Sequence, residues 1–355
     1  MSQAAITTET PADLLPPGDM TPRARLERVL AGELPDRPPV SFWVHNFARE
    51  QTVGALVDET LRLQRAFRFD FLKPQSPAHA GPLAWGATIT SPKRRDEAPV
   101  LVRPAMRSAA DLADITPRPI EGMLADQVEA MRRIREAVGP DVPIVGTIFS
   151  PLMVMWQMHE GLKPAVLEMV REAPAALTPA LDAIAETMAD FARALIEKGG
   201  VDGIFYATTT CNEGELTEAE HERYHLPYDK EILSACKGGW MNILHLCGHH
   251  VLAKRFVDHE AQIVSWELGP HNPTLTEMHG LLGRTMLTGI PGKPVFGADP
   301  QASLFRHARN AVAETGGRHL ILGPGCSVNP GVEDGRIGAV VEDARAIRYP
   351  SPERA

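Results

Sequence analysis

Three residues with metal-binding side chains lie at the ends of two apolar segments. His245 and Cys247 close the segment MNILHLC, and Cys326 follows HLIL in the glycine-rich loop LGPGC. Because successive side chains of a strand point to opposite faces, His245 and Cys247 share one face. One imidazole and two thiolates with a fourth position open resemble the ligand set of a catalytic zinc ion. The three residues therefore predict a zinc site, the alternative being that they are buried core residues.

The chemistry follows from the proposed ligands. Thiolate-rich zinc is a weaker Lewis acid than zinc held by three histidines, because sulfur donates more charge to the metal. Such a site suits the binding of a substrate thiol as its thiolate, which stays nucleophilic at neutral pH. The thiolate can attack an electrophilic carbon, typically a methyl group, whereas activation of water for hydrolysis is the less natural alternative.

Other polar residues occupy the ends of predicted strands, and each is either functional or an ordinary rim residue. The candidates for positioning substrates and managing protons are Asp70 in FRFDFLKP, Glu267 in SWELG and Asp299 at the end of PVFGAD. The candidates for substrate binding are His45, Cys211 and Glu213. The remaining thiol, Cys236, is expected to be structural.

These residues can form one site only in a fold in which the ends of the strands lie at the same edge. The segments predicted as strands are 39–44, 69–73, 142–149, 201–207, 241–247, 263–268, 294–297 and 319–322. The segments predicted as helices are 51–67, 121–138, 164–198, 218–235, 250–258, 274–282, 301–315 and 332–347. This alternation predicts an α/β fold, a (β/α)8 TIM barrel with its active site at the carboxyl ends of the strands. An open doubly wound sheet is the alternative, but no G-x-G-x-x-G follows the first strand.

Length and composition limit the function classes. The 355 residues divide into an expected mobile arm (1–20), a catalytic barrel (21–348) and a tail (349–355), with a hairpin or lid expected within 76–121. The net charge of −9 argues against nucleic acid as a partner. Four cysteines are too few for a disulfide scaffold, and no apolar run reaches the ~20 residues of a membrane span. Without a secretory signal, we expect a cytoplasmic protein.

In the order and spacing of its motifs, the chain resembles the uroporphyrinogen decarboxylase superfamily. The resemblance extends from about residue 21 to residue 347 and implies a TIM barrel. The segments that carry it are TPRARLERVLAGELPDRPPV, RFDFLK, HLCG, PVFGADP and GPGCSVNPGVED.

Within that superfamily, the chain is most similar to the zinc-dependent methylcobamide:coenzyme M methyltransferases. Their H-x-C motif with a later cysteine matches His245, Cys247 and Cys326. The resemblance implies transfer of a methyl group from a methylated corrinoid (cobalamin) to a zinc-activated thiol or to tetrahydrofolate. It also implies that the corrinoid comes free or on a partner protein, and that the chain could form a homodimer.

The decarboxylases of the superfamily supply the alternative. Asp70 matches their aspartate that binds pyrrole nitrogens, but their arginine-rich segment reads FWVHNFAR here and Pro324 replaces their histidine. The alternative enzyme is a metal-independent decarboxylase or lyase with Arg49, Arg94 and Arg95 in a cationic pocket. A non-catalytic corrinoid- or tetrapyrrole-binding protein is the third possibility.

Overall fold

A parallel barrel forms the centre of the computed structural model, which describes residues 10–349 except 76, 78, 79, 161 and 294. Strands β3 to β8 pair in chain order as one parallel sheet, and β1 pairs with β2 as a separate antiparallel hairpin. The strands are β1 (Thr88–Ile89), β2 (Leu101–Arg103), β3 (Val145–Phe149), β4 (Gly203–Thr208), β5 (Ile243–Leu246), β6 (Ile263–Trp266), β7 (Thr285–Ile290) and β8 (Leu320–Pro324).

Two segments of extended chain close this sheet into a barrel. Residues 39–44 bridge to the β8 side at Val40 and Val44, and residues 69–73 bridge to the β3 side at Leu72. The two segments meet where the Asp70 amide donates to the Val40 carbonyl at 3.0 Å. Both segments were predicted as strands. Together with the six strands of the sheet they make the eight parallel segments of the predicted TIM barrel, which they join through isolated bridges. The fold class predicted from the sequence is therefore confirmed.

Helices surround the barrel, and most of the strands are followed by a helix, as the alternating pattern predicts. The helices are α1 (Pro22–Leu30), α2 (Val53–Phe67), α3 (Ala80–Ala84), α4 (Met123–Val138), α5 (Pro151–Met158), α6 (Leu162–Glu172), α7 (Pro174–Glu197), α8 (Glu218–Tyr224), α9 (Leu226–Ala235), α10 (Leu275–Leu282), α11 (Val295–Ala298), α12 (Gln301–Thr315) and α13 (Asp334–Ala346). Of these, α3, α5 and α11 were not predicted. Among the helices described, none combines the length and the apolar character needed to cross a membrane.

Side chains from all six strands of the sheet and from both extended segments fill the barrel interior. They form one apolar cluster of Trp43, Phe71, Val145, Phe205, Ile243, Ile263, Leu287 and Ile321. Leu26 and Val29 of α1 belong to the same cluster and cover the amino-terminal end of the barrel. The Thr21 hydroxyl caps α1, and Pro22 occupies its first turn, as the sequence predicts. The opposite end, where the strands finish, stays free for a site.

The described part of the expected mobile arm, residues 10–20, packs on the barrel. Residues 11–14 form a 3-10 turn, and Leu14 is buried against the core. The Gln64 side chain donates to the Leu14 carbonyl at 2.9 Å, which anchors this turn to α2. Residues 1–9 and 350–355, which include most of the expected tail, lie outside the described residues.

The prediction for the seventh strand is wrong. Segment 294–297 was expected to be that strand, but Val295–Ala298 is a short helix and β7 is Thr285–Ile290. Gly289 makes this run resemble a turn, yet it faces α12 so closely that an added Cβ would lie 2.9 Å from the Ala311 Cβ. The close approach of α12 and a left-handed φ of 95° within the strand both require glycine here.

Three expected helices differ from the structure. The run 164–198 breaks at Ala173, just before Pro174, and the run 218–235 breaks at His225. Segment 250–258 contains only a 3-10 turn at Ala253–Phe256, and the left-handed φ of 56° at His250 excludes that residue from a regular helix. The connection 76–121, expected to be a hairpin or lid, contains the hairpin of β1 and β2.

Candidate metal centre

His245 projects into the barrel from the end of β5 and is held by its neighbours. Its Nδ1 lies 3.2 Å from the Ser265 Oγ on β6, and its ring packs on Phe205 at 4.9 Å between centroids. The side chain is only 4% exposed. A hydroxyl bonded to one ring nitrogen orients the imidazole and leaves Nε2 available as a ligand.

The structure brings His245, Cys247 and Cys326 together. Their ligand atoms all lie within 4.8 Å of one another at the carboxyl end of the barrel. The Cys247 thiol donates to the Cys326 sulfur. This contact, and then His245, lowers the pKa of Cys326 well below its usual value. The same contact, together with burial, raises the pKa of Cys247. One imidazole nitrogen and two sulfurs at this spacing fit a zinc ion.

Gly325 places Cys326 beside the other two ligands. An added Cβ at this position would lie 2.3 Å from the Glu267 Cα and 2.7 Å from the Trp266 carbonyl oxygen. The chain leaving β8 therefore passes directly over the end of β6, which only glycine permits. On the β5 side, the Cys247 amide donates to the Thr208 carbonyl at 2.9 Å and fixes the second thiol.

A cavity of about 200 Å³ opens above the three ligands. Lys73 lines it from the end of segment 69–73, with its ammonium 4.7 Å from the Phe205 ring centroid and 5.7 Å from that of Trp43. The lysine donates to the Gln75 Oε1 at 3.0 Å. Burial lowers its pKa from 10.5 to about 8, opposed by the negative charges of Cys326 and Glu50.

Three further polar side chains line the same cavity with buried atoms that have no hydrogen-bond partner. These atoms are the Gln75 Nε2, the Thr147 Oγ1 and the Gln157 Oε1. An unpaired buried polar atom costs about 1–3 kcal/mol of stability. The wall is therefore arranged to hydrogen-bond a polar molecule inside the barrel.

Two of the other predicted site residues lie at the centre. Glu267 is half-buried beside Gly325, and burial and then the charge of Cys326 raise the pKa of its carboxyl. His45 lines the cavity, with its Nδ1 2.9 Å from the Glu50 Oε2 and its ring stacked on Phe47.

Cys211 and Glu213 lie close to the centre without lining its cavity. The Cys211 thiol is 1% exposed and donates to the Cys247 carbonyl at 3.5 Å. Burial raises the pKa of this thiol to about 12, so it stays protonated. Glu213 is exposed, and its amide donates to the His250 carbonyl. The structure thus gives neither residue direct access to a substrate in the cavity.

Asp70 and Asp299, expected at the site, are elsewhere. Asp70 is fully buried near the amino-terminal end, where Arg25 and Arg37 bind its carboxylate at 2.6 and 2.8 Å. It alternates with Phe71 and Lys73, which face the interior, so its side chain points away from the cavity. Asp299 follows the short helix α11 and accepts from the Ser303 hydroxyl at 3.3 Å. The expectation for Asp299 assumed the strand that is absent.

The cavity residues that sequence reasoning missed are Lys73, Gln75, Thr147 and Gln157, and Lys73 carries the only charge among these four. The signal for Lys73 was present, because Phe71 belongs to the barrel interior and a residue two positions later in the same extended segment faces the same way. Cys236, expected to be structural, is fully buried and donates to the Ile232 carbonyl at 3.0 Å.

Sequence comparisons place these features in a family. The family model described as uroporphyrinogen decarboxylase (URO-D) matches residues 21–347. The chain is 21% identical to a methylcobamide:CoM methyltransferase (MtbA) of Methanosarcina acetivorans, over 93% of this chain and 99% of that protein. It is 24% identical to uroporphyrinogen decarboxylase 2, chloroplastic, of Arabidopsis thaliana, over 91% of this chain and 86% of that protein.

Solved structures share the fold. A methyltransferase from Methanosarcina mazei superposes with a TM-score of 0.75 at 19% identity, over 92% of this chain and 98% of that chain. A B12-independent methionine synthase from Shewanella sp. W3-18-1 superposes with a TM-score of 0.55 at 14% identity, over 87% of this chain and 96% of that chain.

Proposed function

The chain belongs to the uroporphyrinogen decarboxylase family, and on that premise we propose that it is a zinc-dependent methyltransferase. The methyl group passes from a methylated corrinoid to a small thiol. The observation that carries this proposal is the convergence of the ligand atoms of His245, Cys247 and Cys326 beneath a cavity at the carboxyl end of the barrel. The relative named a methylcobamide:CoM methyltransferase supports it.

His245, Cys247 and Cys326 would hold the metal, and Ser265 would orient the imidazole. A zinc ion held there would supply an open position for a further sulfur and would lower the pKa of a thiol. Glu267, which lies beside Cys326, accepts the proton that the acceptor thiol loses. Burial and then the charge of Cys326 raise the pKa of this carboxyl, which favours its taking up a proton.

The acceptor is a small thiol with an anionic end. A cavity of about 200 Å³ admits a molecule of a few heavy atoms. The Lys73 ammonium faces this space, and the unpaired amide nitrogen of Gln75 adds a second donor. Cation and donor together favour a carboxylate or sulfonate, while Phe205 and Trp43 contact the carbon chain.

The methyl donor remains outside this cavity. A corrinoid macrocycle is far larger than the space above the ligands, so the corrinoid must present its methyl group at the mouth of the barrel. This requirement suits a corrinoid that arrives free or on a partner protein. In the transfer, a sulfur–carbon bond forms and the methyl–corrinoid bond breaks, with its electron pair staying on the departing corrinoid.

The proposal is tested with protein purified without a histidine tag. We expect about one catalytic zinc ion per chain and transfer from methylcobalamin to thiols, followed by the change in the cobalamin spectrum. In a matched pair of acceptors, 3-mercaptopropionate should react faster than 3-mercapto-1-propanol, which has the same length without the charge. Tetrahydrofolate completes the panel as the alternative acceptor.

Two cysteine variants supply the contrast. Cys326→Ala removes a ligand and should lose both thiolate-bound metal and methyl transfer. Cys236→Ala removes a buried thiol outside the centre and should keep both. Wild-type protein that transfers methyl groups equally well after complete zinc removal would refute the zinc-dependent mechanism. Release of carbon dioxide from a carboxylated tetrapyrrole by the metal-free protein would establish the decarboxylase alternative instead.

A further inference from the structure

A second cluster of metal-binding side chains lies behind the barrel wall, on the outer side of β4. It consists of His225 between α8 and α9, Asp229 on α9, and His259 after the 3-10 turn that follows β5. Ligand atoms of all three lie within 4.8 Å of one another. The three residues are at most 2% exposed. No part of the proposed methyl transfer uses this cluster.

Asp229 is a fully buried carboxylate whose ion-pair partners are imidazoles. Its Oδ2 lies 2.6 Å from the His225 Nδ1 and accepts a hydrogen bond from the His259 Nε2 at 2.8 Å. A buried carboxylate requires a compensating positive charge close to it. Either a protonated imidazole or a metal cation can supply that charge.

The outer atoms of the cluster are arranged as they are around bound metals. The His225 Nε2 lies 2.8 Å from the Thr208 Oγ1, and the Tyr206 hydroxyl donates to the Asp229 Oδ1. Hydrogen bonds to the second atom of a ligating imidazole or carboxylate are the usual means of fixing its orientation. The outward-facing side of β4 therefore already holds two of the three side chains in place.

The hydrogen bonds of this cluster are incomplete. The His225 Nδ1 is in ion-pair contact with Asp229 at 2.6 Å, whereas the second ring nitrogen of His259, its Nδ1, is buried without a hydrogen-bond partner. One turn earlier, His221 stacks on His225 at 4.8 Å between centroids, and its buried Nε2 has no partner either.

We propose that His225, Asp229 and His259 form a buried structural zinc site. Imidazole and carboxylate donors suit zinc, and a site closed off from solvent is typical of a structural ion. Ligand atoms around tetrahedral zinc are about 3.3 Å apart, so binding would open the two present contacts with Asp229 by about 0.7 Å at His225 and about 0.5 Å at His259. The ion would join α8, α9 and the segment after β5 behind β4.

Metal analysis of a variant that lacks the thiolate ligands tests the proposal. Wild-type protein should hold about two zinc ions per chain, and Cys247→Ala/Cys326→Ala should keep about one. With cobalt(II) in place of zinc, this double variant should show the visible bands of a tetrahedral site without sulfur-to-cobalt charge transfer. Loss of the sulfur-to-cobalt charge-transfer band with retention of the visible bands reports on the thiolate site only. Absence of metal at one site can therefore be told apart from absence of metal at the other.

Variants of the second cluster complete the test. Adding Asp229→Asn or His259→Gln to the double variant should remove the remaining metal and the visible bands. Adding Tyr206→Phe as the matched control, which deletes a hydrogen bond but no ligand, should keep the metal with about tenfold weaker affinity.

One result overturns the proposal without relying on variants of the buried cluster. If the folded double variant, dialysed and then saturated with zinc, binds less than about 0.1 ion per chain, the site does not bind metal. The same conclusion follows if cobalt gives it no visible bands. A protonated imidazole would then neutralise Asp229.

Discussion

Replacing Lys73 by methionine should make the protein more stable and less selective. The lysine is 9% exposed, and its pKa of about 8 in the folded protein compares with 10.5 for the ordinary side chain. This difference corresponds to about 3 kcal/mol of unfavourable free energy when the buried amine is charged. The lost hydrogen bond to the Gln75 Oε1 offsets about 1 kcal/mol. We therefore expect Lys73→Met to raise the free energy of unfolding by about 2 kcal/mol at pH 7.

The pH dependence gives the sharper form of this prediction. Between pH 8 and 10.5 the unfolded chain keeps the Lys73 proton that the folded chain has lost. The unfolded state then binds more protons, so the stability of the wild type rises with pH across this window. Lys73→Met lacks this titration, and its advantage should be largest below pH 8 and shrink as the pH approaches 10.5.

Urea unfolding at a series of pH values measures both effects. The exposed Lys254 provides the matched control, since Lys254→Met should change the stability by no more than about 0.5 kcal/mol at any pH. In methyl transfer, Lys73→Met should lose the preference for 3-mercaptopropionate over 3-mercapto-1-propanol, mainly through KM. A variant that is no more stable than the wild type at pH 7, with an advantage independent of pH, would refute the reasoning about the buried charge.

Three further substitutions test the supports of the site. Asp70→Asn should lower the free energy of unfolding by about 3 kcal/mol in urea, because it breaks the ion pairs with two buried arginines. Since these lie far from the cavity, kcat of the folded protein should be nearly unchanged, and a selective loss of kcat would contradict this structural role. Ser265→Ala should weaken zinc binding about tenfold in a chelator competition, since it frees the ring of His245; unchanged affinity would show that the hydroxyl does not orient the ligand. Gly325→Ala should lower zinc occupancy and the thermal midpoint together, because its Cβ would meet the Glu267 backbone at 2.3 Å; full occupancy would contradict the close approach.

The strand ends that carry the candidate ligands were predictable, because they depend on local patterns. A period of two in MNILHLC placed His245 and Cys247 on one face, and the barrel inferred from strand–helix alternation placed Cys326 beside them. The same period, applied from Phe71, indicates that Lys73 faces the interior. These conclusions need only the direction of side chains along a strand.

The remaining features depend on contacts between distant segments. Asp70 resembles a catalytic carboxylate in the sequence, and only the approach of Arg25 and Arg37 from other elements shows that it is an ion-pair residue. Gly289 resembles a turn residue until α12 packs against it. Local propensity cannot anticipate such contacts, which is why the seventh strand was placed one segment too late.

The two halves of the centre differ in how they are anchored. The metal-binding side chains come from β5 and β8, which belong to the continuous parallel ladder. Lys73 and His45 come from the two segments that join the barrel through isolated bridges. Substitutions in these two segments should therefore change the polarity and shape of the cavity while the continuous ladder keeps His245, Cys247 and Cys326 in place, so the cavity can be redesigned without disturbing the cluster beneath it.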